Sequence, residues 1–226
     1  MLKDFFSLLF PSLCAACGNG LYKHEQSLCI SCIYKLPKTN FHLENDNPIA
    51  KIFWGRATIY SAASYYYFLK EGKVQHLIHQ LKYKGQMEVG VFIGNLYGDE
   101  LKQCVDFNTV DIIIPVPLHE RKLKLRGYNQ SEKFAQGLSE SMDVETDFKT
   151  LYREFNSESQ TRKSRYNRWQ NVETAFKLND FTSLRGKHIL LVDDVITTGA
   201  TLEACAQTLL QIPDVRVSIV TMAYAS

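Results

Sequence analysis

The chain has 226 residues, room for one full domain plus something small. Apolar residues make up 45% and charged residues 22%, a balance that can bury a sizeable core and excludes wholesale disorder. The net charge is only +2, so any argument for nucleic-acid binding has to be local.

No uninterrupted apolar run exceeds five residues, against the ~20 that a membrane-spanning helix needs. Near the start Phe5, Phe6, Leu8, Leu9 and Phe10 are apolar, but Asp4 stands where a leader is basic and Pro11 breaks the stretch. Leu13 occupies the place where a lipid-modified Cys14 would want a small residue. The expectation is a cytoplasmic protein with reduced thiols and no membrane insertion.

Six cysteines follow: Cys14, Cys17, Cys29, Cys32, Cys104 and Cys205. The first four form two C-x2-C pairs separated by eleven residues. Each pair turns tightly enough for its sulfurs to face one point, and Gly18 and Gly20 relax the backbone after the first knuckle. Four thiolates suit tetrahedral zinc with no open position, so the metal is expected to be structural and to replace a missing apolar core. The alternative is a redox dithiol. His24, between the pairs, is expected to be a solvated loop residue.

Residues 37–55, with Pro37, Pro48 and Glu44-Asn45-Asp46-Asn47, look like a connector, which divides the chain into a zinc module at 1–55 and a main domain at 56–226. Ala57–Leu69 is predicted as strand, with a hairpin near Ser61–Ala63. Tyr65, Tyr66, Tyr67 and Phe68 there read as core or sheet face before base-stacking residues. Val74, Leu77, Ile78 and Leu81 recur at helical spacing, and a second helix is predicted over Met87–Gln103. Asp111–Pro115 is a short apolar run, as a parallel strand covered on both faces should be.

A basic loop comes next, then a helix over Gln130–Met142. Residues 153–171 are polar and basic. Ile189–Val192 is another buried strand, followed by a Thr/Gly turn, a helix with Leu202, Cys205, Ala206, Leu209 and Leu210 inward, and a last strand over Val215–Ala223. Cys104 and Cys205 are expected on helices as buried hydrophobes. Strands alternating with helices imply a parallel, doubly wound α/β sheet.

The segment Asp193-Asp194-Val195-Ile196-Thr197-Thr198-Gly199-Ala200-Thr201 lies where the strand ends and the helix begins, at the sheet edge where open α/β folds bind ligands. Adjacent carboxylates there repel and need donors or a cation. Thr197, Thr198 and Thr201 offer hydroxyls, and Gly199 lets backbone amides turn toward one anion. Acids for a diol and a cradle for a phosphate together describe a ribose 5-phosphate ligand. Ordinary helix capping by Asp and Thr is the alternative.

This stretch resembles the phosphoribosyl-pyrophosphate (PRPP) motif of type I phosphoribosyltransferases. The resemblance implies that Asp193 and Asp194 hold the ribose hydroxyls and help organise Mg²⁺ through its waters. It places the 5-phosphate on Thr197, Thr198, Gly199 and Thr201.

Two basic segments complete the constellation. Arg121, Lys122, Lys124 and Arg126 crowd into six residues after Pro115. In a parallel sheet they emerge at the same edge as the acids, so Arg121, Lys122 and Arg126 are candidates for pyrophosphate. Residues 149–168 carry six cations against two anions, with Arg162, Lys163, Arg165, Arg168 and Trp169 in or beside the cluster. A solvated charged face is the alternative for both.

The order of pieces is zinc knuckles, Lys82-Tyr83-Lys84-Gly85, Val116-Pro117-Leu118-His119 with Arg126-Gly127-Tyr128-Asn129-Gln130, then Gln160, Arg168, Asn171 and Phe176, and last the acidic turn. This order resembles the ComF family of competence proteins over about residues 8–224. Tyr128 stands where Phe is usual, and Lys163 where an apolar residue is common.

The resemblance implies a type I phosphoribosyltransferase-like parallel sheet with flanking helices and a small N-terminal four-cysteine zinc module. It also implies a cytoplasmic role in DNA uptake during natural transformation, beside a DEAD-type helicase. Single-stranded DNA would meet Lys82, Lys84, Arg162, Arg165, Arg168 and Trp169, with Tyr128 and Tyr166 interleaved. Transfer of phosphoribose from PRPP to an acceptor is the alternative, although no residue stands out as a general base. A zinc module that docks the helicase is a third possibility.

Overall fold

The computed structural model describes residues 12–154 and 176–225. In chain order its elements are α1 (Ile30–Lys35), α2 (Pro48–Phe53), β1 (Ala62–Tyr67), α3 (Lys73–Tyr83), α4 (Met87–Leu101), β2 (Ile112–Pro115), α5 (Glu120–Arg126) and α6 (Gln130–Met142). They continue with β3 (Leu151–Arg153), β4 (Phe176–Leu178), β5 (His188–Ile196), α7 (Ala200–Leu209) and β6 (Arg216–Tyr224). Short 3-10 turns lie at Phe41–Leu43 and Thr182–Leu184.

Four strands form the central sheet in the order β1-β6-β5-β2, with every neighbouring pair parallel. Ile189, Leu190, Leu191 and Val192 are all fully buried. Consecutive residues of a strand point to opposite faces, so a run with no polar alternation forms only where both faces are covered. Register pairs Leu191 with Ile219 and Pro115 with Val192. This sets the carboxyl ends of β2 and β5 side by side. Helices flank this parallel sheet, the α/β layout expected from the alternation of strands and helices.

The α4–α6 pair shows why two glycines stand inside helices that would otherwise do better with alanine. A Cβ on Gly137 would lie 2.0 Å from the Val91 carbonyl oxygen, and one on Gly94 would lie 2.4 Å from the Phe134 carbonyl oxygen. The backbones touch directly there. The contact holds α6 close enough for its first turn to reach β5.

Three expectations are corrected. No hairpin forms near Ser61–Ala63, because Ala62–Tyr67 is one continuous strand pairing with β6 through Ala63 and Val220. Its other edge is met by the chain at Lys38, which bridges Tyr66 antiparallel, with Thr39 N–H on the Tyr65 carbonyl. The basic loop after β2 contains α5, a short helix that buries none of its residues. Cys104 lies in the turn after α4 and is half-buried, its thiol donating to the Glu100 carbonyl; Cys205 is buried on α7 as expected.

Residues 37–56 are anchored to the core through Phe41, Asn47, Ile49 and Phe53, all buried. Asn47 is buried and caps α2 by accepting from the Ile49 and Ala50 amides. Its Nδ2 donates to the carbonyls of Phe41, Glu44 and Ala62. One side chain thereby ties the 3-10 turn, α2 and β1 together, and its loss would remove the buried Ala62 carbonyl's donor as well as the α2 cap. Tyr65 and Tyr66 are buried in the core, as expected for an aromatic strand. Among the described residues no helix is long and apolar enough to cross a membrane.

Candidate functional site

β5 runs to Ile196, so both acids lie within the strand's end rather than in the turn. Alternation sends them to different neighbours. Asp193 Oδ1 accepts from the Ser131 hydroxyl at 2.7 Å, in the first turn of α6, and from the Asp194 amide at 2.8 Å. Asp194 Oδ1 accepts from Lys82 Nζ at 2.9 Å, at the end of α3. Both partners of that ion pair are largely withdrawn from water, with side chains 20% and 12% exposed. Burial first, and the adjacent Asp194 carboxylate second, push Asp193 up to about 7 against the pull of Ser131, the Asp194 amide and Lys82.

Thr197, Thr198 and Thr201 are exposed, and Gly199 between them is buried. Gly199 has φ +76°, and a Cβ there would lie 2.5 Å from Ile52 Cγ2. Glycine is therefore required by conformation and by space together. No side chain caps the first turn of α7, so its amides stay available to an anion.

The back of this turn is held from α2. Arg56 donates from Nη1 to the carbonyls of Ile52 and Thr198, each at 3.1 Å, and pairs through Nη2 with the Glu203 carboxylate on α7. Gln207 Nε2 closes the ring by donating to the Arg56 carbonyl at 3.0 Å.

The basic segment is pinned beside Asp193 at both ends. Val116 N–H donates to the Val192 carbonyl, extending the β2–β5 ladder, and Asn129 Nδ2 donates to the Val116 carbonyl. Asn129 Oδ1 accepts from the Ser131 amide, so the residue bonded to Asp193 is itself fixed. Between these anchors Arg121 and Lys122 are exposed on α5, and Arg126 is half-buried. Arg126 donates to Gln130 Oε1 at 2.5 Å and lies over the Tyr83 ring. His119 Nδ1 accepts from the Arg121 amide. Burial, with Arg153, Arg121 and Lys122 nearby, lowers His119 from its ordinary value, which favours the neutral ring that accepts this bond. Tyr128 reaches α3 by donating its hydroxyl to the Leu81 carbonyl. Lys84 is exposed at the end of α3.

The acidic turn, the arginine-rich helix and Lys82 therefore share one rim of the sheet. Arg162, Lys163, Arg165, Arg168 and Trp169, with Tyr166, lie outside the described residues; β3 and β4 pair antiparallel on either side of them.

The four N-terminal cysteines converge, with all sulfurs within 4.8 Å of one another. Cys17 Sγ and Cys29 Sγ are 3.8 Å apart. A tetrahedron of ~2.3 Å zinc–sulfur bonds has sulfur–sulfur edges of about 3.8 Å, so the spacing fits that ion. Burial opposes ionisation of Cys14, yet the amides of Cys29, Cys17 and Ala16 bring its thiol down to about 7. None of the four forms a disulfide. His24 is exposed, as expected.

Sequence reasoning missed Ser131 and Arg56. Ser131 follows Asn129-Gln130 at a helix start and reads as part of a cap. Arg56 lies just after the connector, with no motif around it and partners up to 147 residues away.

The phosphoribosyl transferase domain family matches residues 129–225, which span Ser131, both acids and the threonine turn. Among curated relatives, the DNA utilization protein YhgH of Shigella flexneri is 30% identical over 203 residues, covering 88% of this chain and 84% of its own. Competence protein F of Haemophilus influenzae is 30% identical over 207 residues, covering 88% and 79%. Competence protein ComFC of Bacillus subtilis is 25% identical over 204 residues, covering 84% and 81%.

Proposed function

The chain belongs to the ComF family of competence and DNA-utilization proteins, and from that premise we propose that it binds PRPP and handles incoming single-stranded DNA. The observation that carries the reading is the arrangement at the end of β5. Asp193 and Asp194 are held 2.7 Å from Ser131 and 2.9 Å from Lys82, next to an exposed threonine turn with an uncapped helix behind it. In this reading the carboxylates accept from the ribose diol. Thr197, Thr198, Gly199 and Thr201 receive the 5-phosphate through hydroxyls and amides. Arg121, Lys122 and Arg126 face the pyrophosphate. Lys82 belongs to the ligand site as a fixed cation on Asp194.

Mg²⁺ suits this donor set, because two carboxylates at one edge offer hard oxygen to a hydrated ion brought in on pyrophosphate. When bound it would neutralise pyrophosphate charge. The residues of the chain orient the sugar and hold the phosphates. Zinc in the cysteine cluster is structural, since four sulfurs complete its shell.

Single-stranded DNA would meet Lys84, Arg162, Arg165, Arg168 and Trp169, with a DEAD-type helicase as partner in the cytoplasm. The phosphoribosyl transferase domain match also favours a second reading, transfer of phosphoribose to an acceptor. Positioning and the arginine-rich helix would then stabilise the departing pyrophosphate.

The test is fluorescence anisotropy of a labelled oligonucleotide across a salt series, with and without PRPP and Mg²⁺. Binding is expected to weaken steeply with salt. Neutralising Arg162, Arg165 and Arg168 together is expected to weaken it more than neutralising the exposed Lys35, Lys70 and Lys73. Equal losses from the two sets would count against the DNA assignment.

A further inference from the structure

We infer that Tyr83 is a stacking shelf for a nucleobase, the point at which a single strand meets the rim of the ligand site. The inference rests on the DNA-handling reading and gives it a place among the described residues. Tyr83 ends α3 with 59% of its surface exposed. Its neighbour Lys82 turns inward to Asp194, 2.9 Å away, so the helix end is anchored and the ring is left outside. Gly85 turns the chain away at φ +70° with open space around it.

One face of the ring carries a guanidinium, and the ring remains largely exposed. The Arg126 guanidinium carbon lies 5.3 Å from its centroid, and the His79 ring is 5.0 Å away at a tilt of 47°. Arg126 is fixed in turn by Gln130, a buried residue that opens the helix carrying Ser131 to Asp193. The shelf is therefore rigid with respect to the carboxylates. Cations supply the other half of a nucleotide site. Lys84, the next residue in the chain, is exposed, and Lys122 shares the α5 face of Arg126 one turn earlier. An exposed aromatic among lysines and arginines suits a base whose phosphates need partners on either side. Stacking is indifferent to base identity, and a guanidinium over the ring adds to it.

The experiment uses the full, zinc-loaded chain and compares a short oligodeoxythymidylate with an abasic strand of the same length, and with dTMP. Wild type is expected to prefer the base-bearing strand by about five-fold or more. Tyr83→Ala is expected to bring that strand down to the abasic level, leaving the abasic strand and PRPP bound as before, and Tyr83→Trp is expected to restore the preference. A Tyr83-dependent site for dTMP with no strand preference would assign the shelf to free nucleotides instead of a strand. Equal affinity of wild type for both strands without such a dTMP site, or an equal loss for both strands in Tyr83→Ala, would overturn the shelf while leaving DNA binding intact. Failure of wild type to bind any strand or dTMP would overturn both, and PRPP binding in the same preparation would show that the ligand-edge reading survives.

Discussion

Lys82 Nζ lies 2.9 Å from Asp194 Oδ1, and this pair joins the end of α3 to the end of β5 across 112 residues of sequence. The lysine balances one of two adjacent carboxylates at a site largely shielded from water. Removing it should cost more than an exposed ion pair is worth, because Asp194 is left shielded from water without its cation and next to a second carboxyl group. Lys82→Met is expected to destabilise the fold by about 1–3 kcal/mol. Asp194→Asn in the same chain should recover much of that loss. Urea denaturation of the two single variants and the double variant measures the coupling. Additive losses would show that the pair contributes nothing.

Asp193 has its carboxyl pushed up to about 7 by burial and by Asp194, from an ordinary value of 3.8. The folded state thus holds this proton more tightly than the unfolded chain. Its effect is neutral below the unfolded value, and stability is lost as pH rises through the folded one. Asp193→Asn keeps an acceptor for Ser131 and removes the charge. It is expected to raise the melting temperature at pH 8, with the gain shrinking from about pH 7 to about pH 4. Thermal melts across that range check it, and a gain independent of pH would contradict it.

Arg56 grips the Thr198 carbonyl at 3.1 Å and the Glu203 carboxylate, and so sets the shape of the turn from behind without facing the ligand. Arg56→Ala is expected to weaken PRPP binding by about ten-fold, the scale of one charge-assisted hydrogen bond. Inorganic pyrophosphate, which the proposed function assigns to the α5 side, should bind as before. Exchanging the charges, with Arg56→Glu and Glu203→Arg together, should recover part of the loss. Equal weakening of both ligands would point to general unfolding instead.

The cysteine cluster should carry one metal ion per chain, with metal binding coupled to folding of residues 14–36. Elemental analysis of purified protein is expected to find stoichiometric zinc, and Cys32→Ser is expected to lose it with a fall in melting temperature. A zinc-free wild type of equal stability would refute the structural role.

Much of this architecture is legible in the residues. Ile189–Val192 has no polar alternation, and only a strand covered on both faces accommodates that. The helix predicted over Gln130–Met142 is observed with those limits. What escaped depended on distant partners or weak local signals. Small residues at Ser61–Ala63 resemble a turn, yet β1 is set by pairing with β6 far along the chain. Helix α5 buries nothing and so shows no apolar period; its signals are the His119 cap and Gly127 at φ +80°. Likewise nothing beside Arg56 reveals that its carbonyl partner lies 142 residues away. At the site, the acids, threonines and basic segment were visible in sequence. The inward turn of Lys82 onto Asp194 was not, because a lysine in Lys82-Tyr83-Lys84 reads as a surface charge.

The central claim is that the rim formed by Asp193, Asp194 and the Thr197–Thr201 turn holds a sugar phosphate. Calorimetric titration of the zinc-loaded chain with PRPP and Mg²⁺ measures this most directly. Saturable binding at one site per chain is expected, abolished when Asp193→Ala and Asp194→Ala are combined in a chain that still folds. Absence of binding by wild type, or undiminished binding by the double variant, would contradict it.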